Sequence, residues 1–312
     1  MRERTKKNPK VSVVIPNYNH ANYLDGRIRS VLNQTYQDFE LIILDDCSSD
    51  NGASRRIIEK YRKNPHVSHI VYNEVNSGST FKQWHKGMEL AVGELIWIAE
   101  SDDTCELNFL ERLVGQFEKY RQCVLAYCIS VLFNDNGEVL GKSGKHGEDS
   151  QVSGTEFIRD YMCLGNAIWN ASSALFKRKV ALGVDKQYES YKGAGDRLFW
   201  IEIAEKGDVA IVNKPLNYFR QHPNNSTNRY YANGTNQKED KQILEYIYIN
   251  NYISYFAYCY FKEEYAKKRV LPWGFDNNQI KQNTIVSWRL SLIERFCAVI
   301  YRQAIRITGL LR

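Results

Sequence analysis

The sequence predicts an α/β fold, a mostly parallel sheet flanked by helices, on three observations. Short apolar runs recur through the first 130 residues, and they are continuous rather than alternating, as in strands buried on both faces. Between them, apolar residues return at helical spacing. Val11-Ser-Val-Val-Ile15, closed by Pro16, is the first strand, and Leu24, Ile28, Val31 and Leu32 share the next helical face. Glu40–Leu44 is a second strand, followed by a helix marked by Ile57, Ile58 and Tyr61. Val67–Tyr72 is a third strand; Phe81, Trp84, Met88 and Ala91 then form a helical stripe that stops at Gly93. Glu94–Ala99 is a fourth, and Leu110, Leu113, Val114 and Phe117 mark a helix before strand Val124–Ser130. Repeated βαβ units place helices on both faces. Ligands of such sheets bind beyond the carboxyl ends of the strands.

The pattern changes after the turn cluster Asn134-Asp-Asn-Gly137. Residues 138–154, rich in Gly, Ser and Lys, predict a hairpin or mobile loop, Asp196–Lys206 a helix and Val209–Val212 a short strand. From about residue 237 the chain is Tyr-rich and helical in pattern.

A chain of 312 residues accommodates one large domain or two unequal ones. At roughly 75% of its surface buried it needs no disulfide staples. A net charge of +6, with 25% charged residues, excludes disorder, collagen and coiled coil for the whole chain. Apolar runs such as Val11–Pro16 are too short to span a bilayer. The seven cysteines are odd in number and contain no Cys-x-x-Cys pair, which argues against a zinc site and a secreted disulfide framework. The basic first residues lead into no apolar stretch, so no signal peptide is expected, and the expected location is the cytoplasm.

Acidic residues stand where such a sheet builds its site: Asp45-Asp46 after the second strand, Glu100-Ser101-Asp102-Asp103 after the fourth, and Asp196 opening a helix. Singly, each reads equally well as a helix cap or turn residue. Clustered carboxylates repel unless a cation or a donor-rich ligand lies between them. Oxygen ligands suit Mg²⁺ or Mn²⁺, ions that usually carry phosphate oxygens. The residues alone thus point to a metal–nucleotide site at the sheet's edge.

At these positions the chain resembles the family 2 glycosyltransferases of GT-A fold, the bacterial surface-polysaccharide type. The resemblance rests on Val11-Ser-Val-Val-Ile-Pro-Asn-Tyr-Asn19, Ser30-Val-Leu-Asn-Gln-Thr-Tyr36 and Phe39-Glu-Leu-Ile-Ile-Leu-Asp-Asp-Cys-Ser-Ser-Asp50. It continues through Asn76-Ser-Gly78 and Gly93-Glu-Leu-Ile-Trp-Ile-Ala-Glu-Ser-Asp-Asp103, covering roughly residues 10–225. It implies a Rossmann-like nucleotide-diphospho-sugar transferase fold over residues 10–235, with a nucleotide-binding half (10–130) and an acceptor-binding half (131–235). A basic tail (1–9) precedes it and a helical extension (236–312) follows.

By that resemblance Pro16 and Tyr18 flank the nucleotide base, Tyr18 stacking on it. Asp46 accepts from a uracil-type N–H, and Asp45 shapes the loop. Lys82 stands at a nucleotide-contacting position. Asp102 and Asp103 serve the ribose and a Mn²⁺ or Mg²⁺ bridging the diphosphate, whereas Glu100 is one methylene longer than the family's usual Asp. Gly195-Asp196-Arg-Leu-Phe-Trp200 resembles the segment that supplies the catalytic base, with Gly195 where an acidic residue is frequent. Arg220 and Trp169 fall on the diphosphate or acceptor side, and His222 is a further metal ligand. The other five histidines read as structural or surface residues.

The implied activity is inverting, metal-dependent transfer of a hexosyl or N-acetylhexosaminyl group. The donor is a nucleoside diphosphate sugar, of UDP type, and the acceptor a lipid-linked or oligosaccharide hydroxyl, in capsule, O-antigen or exopolysaccharide synthesis. Two alternatives remain at this point: a soluble or protein acceptor, and a sugar-nucleotide-binding module without catalysis.

Residues 285–312 predict an amphipathic helix. Ile293, Phe296, Ile300, Ala304, Ile307 and Leu311 share one face, and Arg295, Arg302 and Arg306 the other. Such a helix suits the anionic inner-membrane surface; the competing expectation is that its apolar face packs on the catalytic domain. No aromatic–basic motif accompanies the charge, so nucleic acid is not an expected partner.

Overall fold

The computed structural model describes residues 8–222 and 226–308, which form two compact units. The described part of the first unit runs to Val152 and takes in Ile168–Val184 and Lys206–His222. It opens with β1 (Val11–Asn17), α1 (Ala21–Leu32), β2 (Phe39–Asp45), α2 (Ala53–Glu59) and β3 (Val67–Tyr72). Then come α3 (Thr80–Leu90), β4 (Leu95–Ile98), β5 (Thr104–Cys105), α4 (Phe109–Lys119) and β6 (Cys123–Asn134). β7 (Val139–Lys142) and β8 (Ser150–Ser153) follow; after α5 (Gly154–Tyr161), the chain returns with β9 (Ala174–Lys177) and α6 (Arg178–Ala181). Beyond α7 (Gly195–Ala204) it makes β10 (Asp208–Gln221).

The sheet order is β3-β2-β1-β4-β9-β6-β10-β5, with β7 on β6 and β8 on β10. β3, β2, β1 and β4 are parallel, as the apolar runs imply. The other half departs from the mostly parallel expectation. β9 inserts antiparallel between β4 and β6, and β5 runs antiparallel to β10. Because β9 reverses direction twice over, β6 and its parallel neighbour β10 point the same way as β1. The carboxyl ends of β1, β2, β4 and β10 therefore share one edge.

On one face Val11, Val13, Ile15, Leu41, Ile43 and Trp97 pack against Leu24, Ile28 and Val31 of α1, Ile58 of α2, and Leu110, Leu113 and Val114 of α4. On the other, α3 lies against β1 at Gly87, where a Cβ would meet Val14 Cγ1 at 2.3 Å. The Gly87→Ala variant should lose about 1–3 kcal/mol by overpacking, read as a lower urea midpoint with unchanged slope. An unchanged midpoint would mean that α3 shifts freely.

The second unit comprises Ser153–Ala167, Asp185–Glu205 and the residues after His222. It contains α5, α7, α8 (Ser226–Ala232), α9 (Thr235–Ile249), α10 (Tyr255–Tyr265), α11 (Asn278–Ser287) and α12 (Leu292–Thr308). Its centre is polar: Arg197 of α7 makes a 2.5 Å ion pair with Asp240 of α9 and donates to Met162 O. Tyr265 of α10 donates to Asp240 as well, and its ring stacks on Trp288 at 4.3 Å.

Candidate active site

The loops expected to bind the nucleotide lie at the carboxyl ends of β1, β2 and β4 in the first unit. After β1, Tyr18 is 45% exposed, while Pro16 is buried in the strand. Asn19 follows in the left-handed region at φ 57° and turns the chain into α1.

Asp45 shapes its loop, accepting from Asn17 Nδ2 (2.7 Å), Ser48 N (3.0 Å) and Ser48 Oγ (2.7 Å). Asp46 is buried and more heavily engaged. Its Oδ1 accepts from Asn73 Nδ2 (2.6 Å), Ser77 N (2.9 Å) and Gln83 Nε2 (3.0 Å), and its Oδ2 from Ser77 Oγ (2.7 Å). These four bonds match the roughly four acceptor positions of a carboxylate, with three on Oδ1 and one on Oδ2. Lys82 is exposed on α3. The basic group tied into this network is instead Lys86, which donates to Asn73 at 2.5 Å.

After β4, the acidic run separates by environment. Glu100 accepts from Trp84 Nε1 at 2.8 Å, and burial, with the Asp102 charge adding to it, pushes its carboxyl up to about 8. Asp103 is buried, accepting from Asn170 Nδ2 (2.6 Å) and Arg220 N (3.0 Å). Burial and Asp102 together raise it to about 7. Burial also disfavours charge on Asp102, but the hydrogen bond to His222 and the field of His20 outweigh it and hold Asp102 below its ordinary value.

Asp102 is thus the ionised member, and two imidazoles meet it. His222 Nε2 lies 3.1 Å from Asp102 Oδ2 at the end of β10, and His20 Nδ1 lies 2.8 Å from Ser101 Oγ. Ligand atoms of His20, Asp102 and His222 all lie within 4.8 Å of one another. His20, expected from the sequence to be a structural or surface histidine, thus stands in the same cluster as Asp102 and His222. Burial lowers the His20 pKa, keeping a lone pair available, while Asp102 raises that of His222. A carboxylate with two imidazoles fits a divalent transition ion such as Mn²⁺ better than Mg²⁺, which prefers an all-oxygen shell. Asp103 is not part of this three-residue group.

Arg220 braces the cluster. Its Nε donates to Asp102 O (2.9 Å), its Nη1 to Asp135 (3.1 Å), and its guanidinium lies over Tyr23 and Phe133 at 4.7 and 4.4 Å. Trp169, in the segment leading to β9, is 38% exposed.

A profile of the glycosyl transferase family 2 matches residues 12–180, more than half of the chain. The chain is a family 2 glycosyltransferase. This glycosyltransferase is 29% identical over 226 residues to TuaG of Bacillus subtilis, named for teichuronic acid biosynthesis, covering 72% of this chain and 84% of TuaG. It is 31% identical over 222 residues to the poly(ribitol-phosphate) beta-N-acetylglucosaminyltransferase TarP of Staphylococcus aureus, covering 67% of this chain and 62% of TarP. In fold it matches S. aureus TarS 1-349 solved with UDP-GlcNAc, at TM-score 0.65 and 19% identity over 93% of this chain and 78% of that one. A mannosyltransferase of Pyrobaculum calidifontis, solved with GDP-Man and Mn²⁺, matches at TM-score 0.56 and 16% identity, covering 96% of this glycosyltransferase and 81% of that chain. The GT-A fold expectation is borne out by these likenesses.

Asp196 belongs to the second unit. The N-cap of α7 is Ala194, so Asp196 is not the helix cap. Its Oδ1 accepts from Arg197 N and its Oδ2 from Asn166 Nδ2, both at 2.8 Å. Burial is the main cause that lifts its carboxyl to about 7; the Asp240 charge adds to this and the bond from Arg197 N opposes it.

The loop before α7 is held by a residue that sequence reasoning missed. Glu239 of α9 accepts from the backbone N–H of Lys192 (2.8 Å), Gly193 (2.9 Å) and Ala194 (2.8 Å). At Gly193 a Cβ would lie 1.7 Å from Asn236 Oδ1, so any larger residue would have to displace that buried side chain. Replacing Glu239 with Ala strands these donors and should cost about 1.5–3 kcal/mol in a urea melt. The conservative Gln should recover part of that loss, and an Ala variant as stable as wild type would show that the loop holds itself.

Proposed function

We propose that this glycosyltransferase is an inverting, metal-dependent enzyme. On this reading it moves a sugar from a UDP-type donor to a hydroxyl of a lipid-linked acceptor in bacterial surface-polysaccharide synthesis. The observation that carries the reading is the convergence of His20, Asp102 and His222 from three strand ends, at the sheet edge that also carries Tyr18 and Asp46. The named activities of TuaG and TarP and the UDP-GlcNAc held by TarS support the substrate classes.

Tyr18 stacks on the base, and Asp46 accepts its N–H through Oδ2, the less engaged of its two oxygens. Asp102, His222 and His20 hold the cation, with Arg220 fixing the Asp102 loop; Asp103 supports that loop through Asn170 and Arg220. When bound there, a divalent cation supplies Lewis-acid charge neutralisation to the diphosphate. In the transfer, the acceptor oxygen forms a bond to the anomeric carbon, and the bond from that carbon to the diphosphate oxygen breaks. The nucleoside diphosphate leaves with the bonding electrons. Asp196 takes the hydroxyl proton as general base, and a carboxyl poised near 7 suits that task. Trp169 offers an exposed ring to the acceptor side. An acceptor of this kind places the chain's work at the inner face of the membrane.

Thermal melts with UDP-, GDP- and dTDP-sugars, each with Mn²⁺, test the donor class. A ligand at 100 times its Kd stabilises by about 2.7 kcal/mol, so a UDP-sugar should raise the melting temperature by several degrees. A shift with GDP- or dTDP-sugars alone would overturn the UDP assignment, and no shift with any of them would overturn the donor site.

A further inference from the structure

The C-terminal helix α12 packs through the face that its apolar periodicity does not select. Cys297 and Ala298 are buried, and Tyr301 meets Tyr260 and Phe261 of α10. The same side carries the ion pairs to α10: Glu294 with Lys262 (2.6 Å), and Arg302 with Glu263 (2.7 Å) and Glu264 (3.3 Å). Two small residues, an aromatic ring and ion pairs therefore make the attachment. The apolar stripe is left facing solvent: Leu292, Ile293, Phe296, Val299, Ile300 and Ile307 are all exposed, the first and last at 84%. This overturns the expectation that the stripe packs on the protein; Leu311 lies outside the described residues.

Arg295 and Arg306 flank the stripe and are exposed, as is Arg289 just before the helix. Among the described residues of α12 the one acid is Glu294, and it is turned inward to Lys262. The open face is therefore apolar apart from the exposed Gln303, and its edge is wholly cationic. Six exposed apolar side chains on one helix stripe are more than scattered surface residues explain.

We propose that this face of α12 docks on an anionic lipid surface. Its apolar side chains enter the boundary between headgroups and acyl chains, and Arg289, Arg295 and Arg306 lie at the lipid phosphates. The helix lies in the plane of the interface, since no helix among the described residues is long and apolar enough to cross a membrane. A second copy of the chain is a poorer occupant. A self-complementary contact through this stripe would bring like charges together, with no acid on the face to answer them. The proposal goes beyond the sugar-transfer reading and holds whatever reaction the enzyme performs.

The test is sedimentation of the full chain with vesicles of phosphatidylcholine alone and with about one third phosphatidylglycerol. The wild type should sediment with the anionic vesicles only. Arg295→Glu combined with Arg306→Glu should lower that partition at least about tenfold, as should Phe296→Asn combined with Ile293→Asn. Because these side chains are exposed, the melting temperature of both variants should match the wild type, which separates lost docking from lost fold. The donor-induced melting shift, measured separately, reports on the transfer reading alone. The proposal is overturned if the wild type stays in the supernatant, if the charge-reversed chain sediments as well as the wild type, or if light scattering shows a dimer that the Phe296 variant dissolves.

Discussion

Turnover of the Asp196→Asn variant should fall about 10²–10⁴-fold, with donor affinity little altered. The amide keeps the shape and can still accept from Arg197 N, but it takes no proton near neutral pH. The pH profile makes the test specific. With its carboxyl lifted to about 7, Asp196 is ionised only as pH rises through that value. The wild-type rate should therefore climb across that range, and the residual rate of the Asn variant should lose that limb. Linkage supplies a second readout. The folded chain holds this proton up to about pH 7, whereas an unfolded Asp with the ordinary value of 3.8 releases it earlier. Between those values the unfolded state binds fewer protons, so stability from this group falls as pH rises. The Asn variant should thus be at least as stable as wild type at pH 7. Near wild-type turnover in the variant would place the base elsewhere.

Metal-dependent nucleotide binding should weaken by at least about 10–100-fold in Asp102→Ala, measured by calorimetric titration of UDP with and without Mn²⁺. Asp102 is the carboxylate kept ionised between two histidines, so its loss removes both a ligand and the charge that draws the cation. His20→Ala and His222→Ala should weaken binding in the same direction. Asp103→Ala should behave differently. It loses the bonds from Asn170 and Arg220 N, so stability should drop with any loss of affinity. Unchanged Mn²⁺-dependent affinity in Asp102→Ala would remove this residue from the metal site.

Much of the first unit is legible in the sequence because strands buried on both faces write continuous apolar runs. Ile42, Ile43 and Leu44 are wholly buried, as are Leu95, Ile96, Trp97 and Ile98. β9 has only four residues and carries no period that separates it from a helix segment. β10 reads as the short strand Val209–Val212, yet the strand runs on to Gln221 past register shifts on either side of Pro215. Proline is tolerated there because a bulge leaves no ladder bond for its missing N–H.

Site residues separate in the same way. Asp46 and Asp102 stand out because they follow strands, but their environments depend on residues far along the chain. Gln83 reaches Asp46 across 37 positions and His222 reaches Asp102 across 120. His20 gives no local signal at all, since only the shared edge of β1, β4 and β10 brings it to Asp102. For α12 the periodicity identifies an apolar stripe but not its surroundings. The choice of the opposite face follows from Cys297 and Ala298, whose small side chains admit α10, and from the charge pairs beside them.

The account turns on metal-dependent transfer at the Asp102 cluster, and release of nucleoside diphosphate from UDP-sugars measures it most directly. The full chain is assayed with Mn²⁺, with EDTA, and with Mn²⁺ restored after EDTA. The account predicts release with Mn²⁺, its loss on chelation and its return when the metal is added back. Release that continues undiminished in EDTA would contradict it.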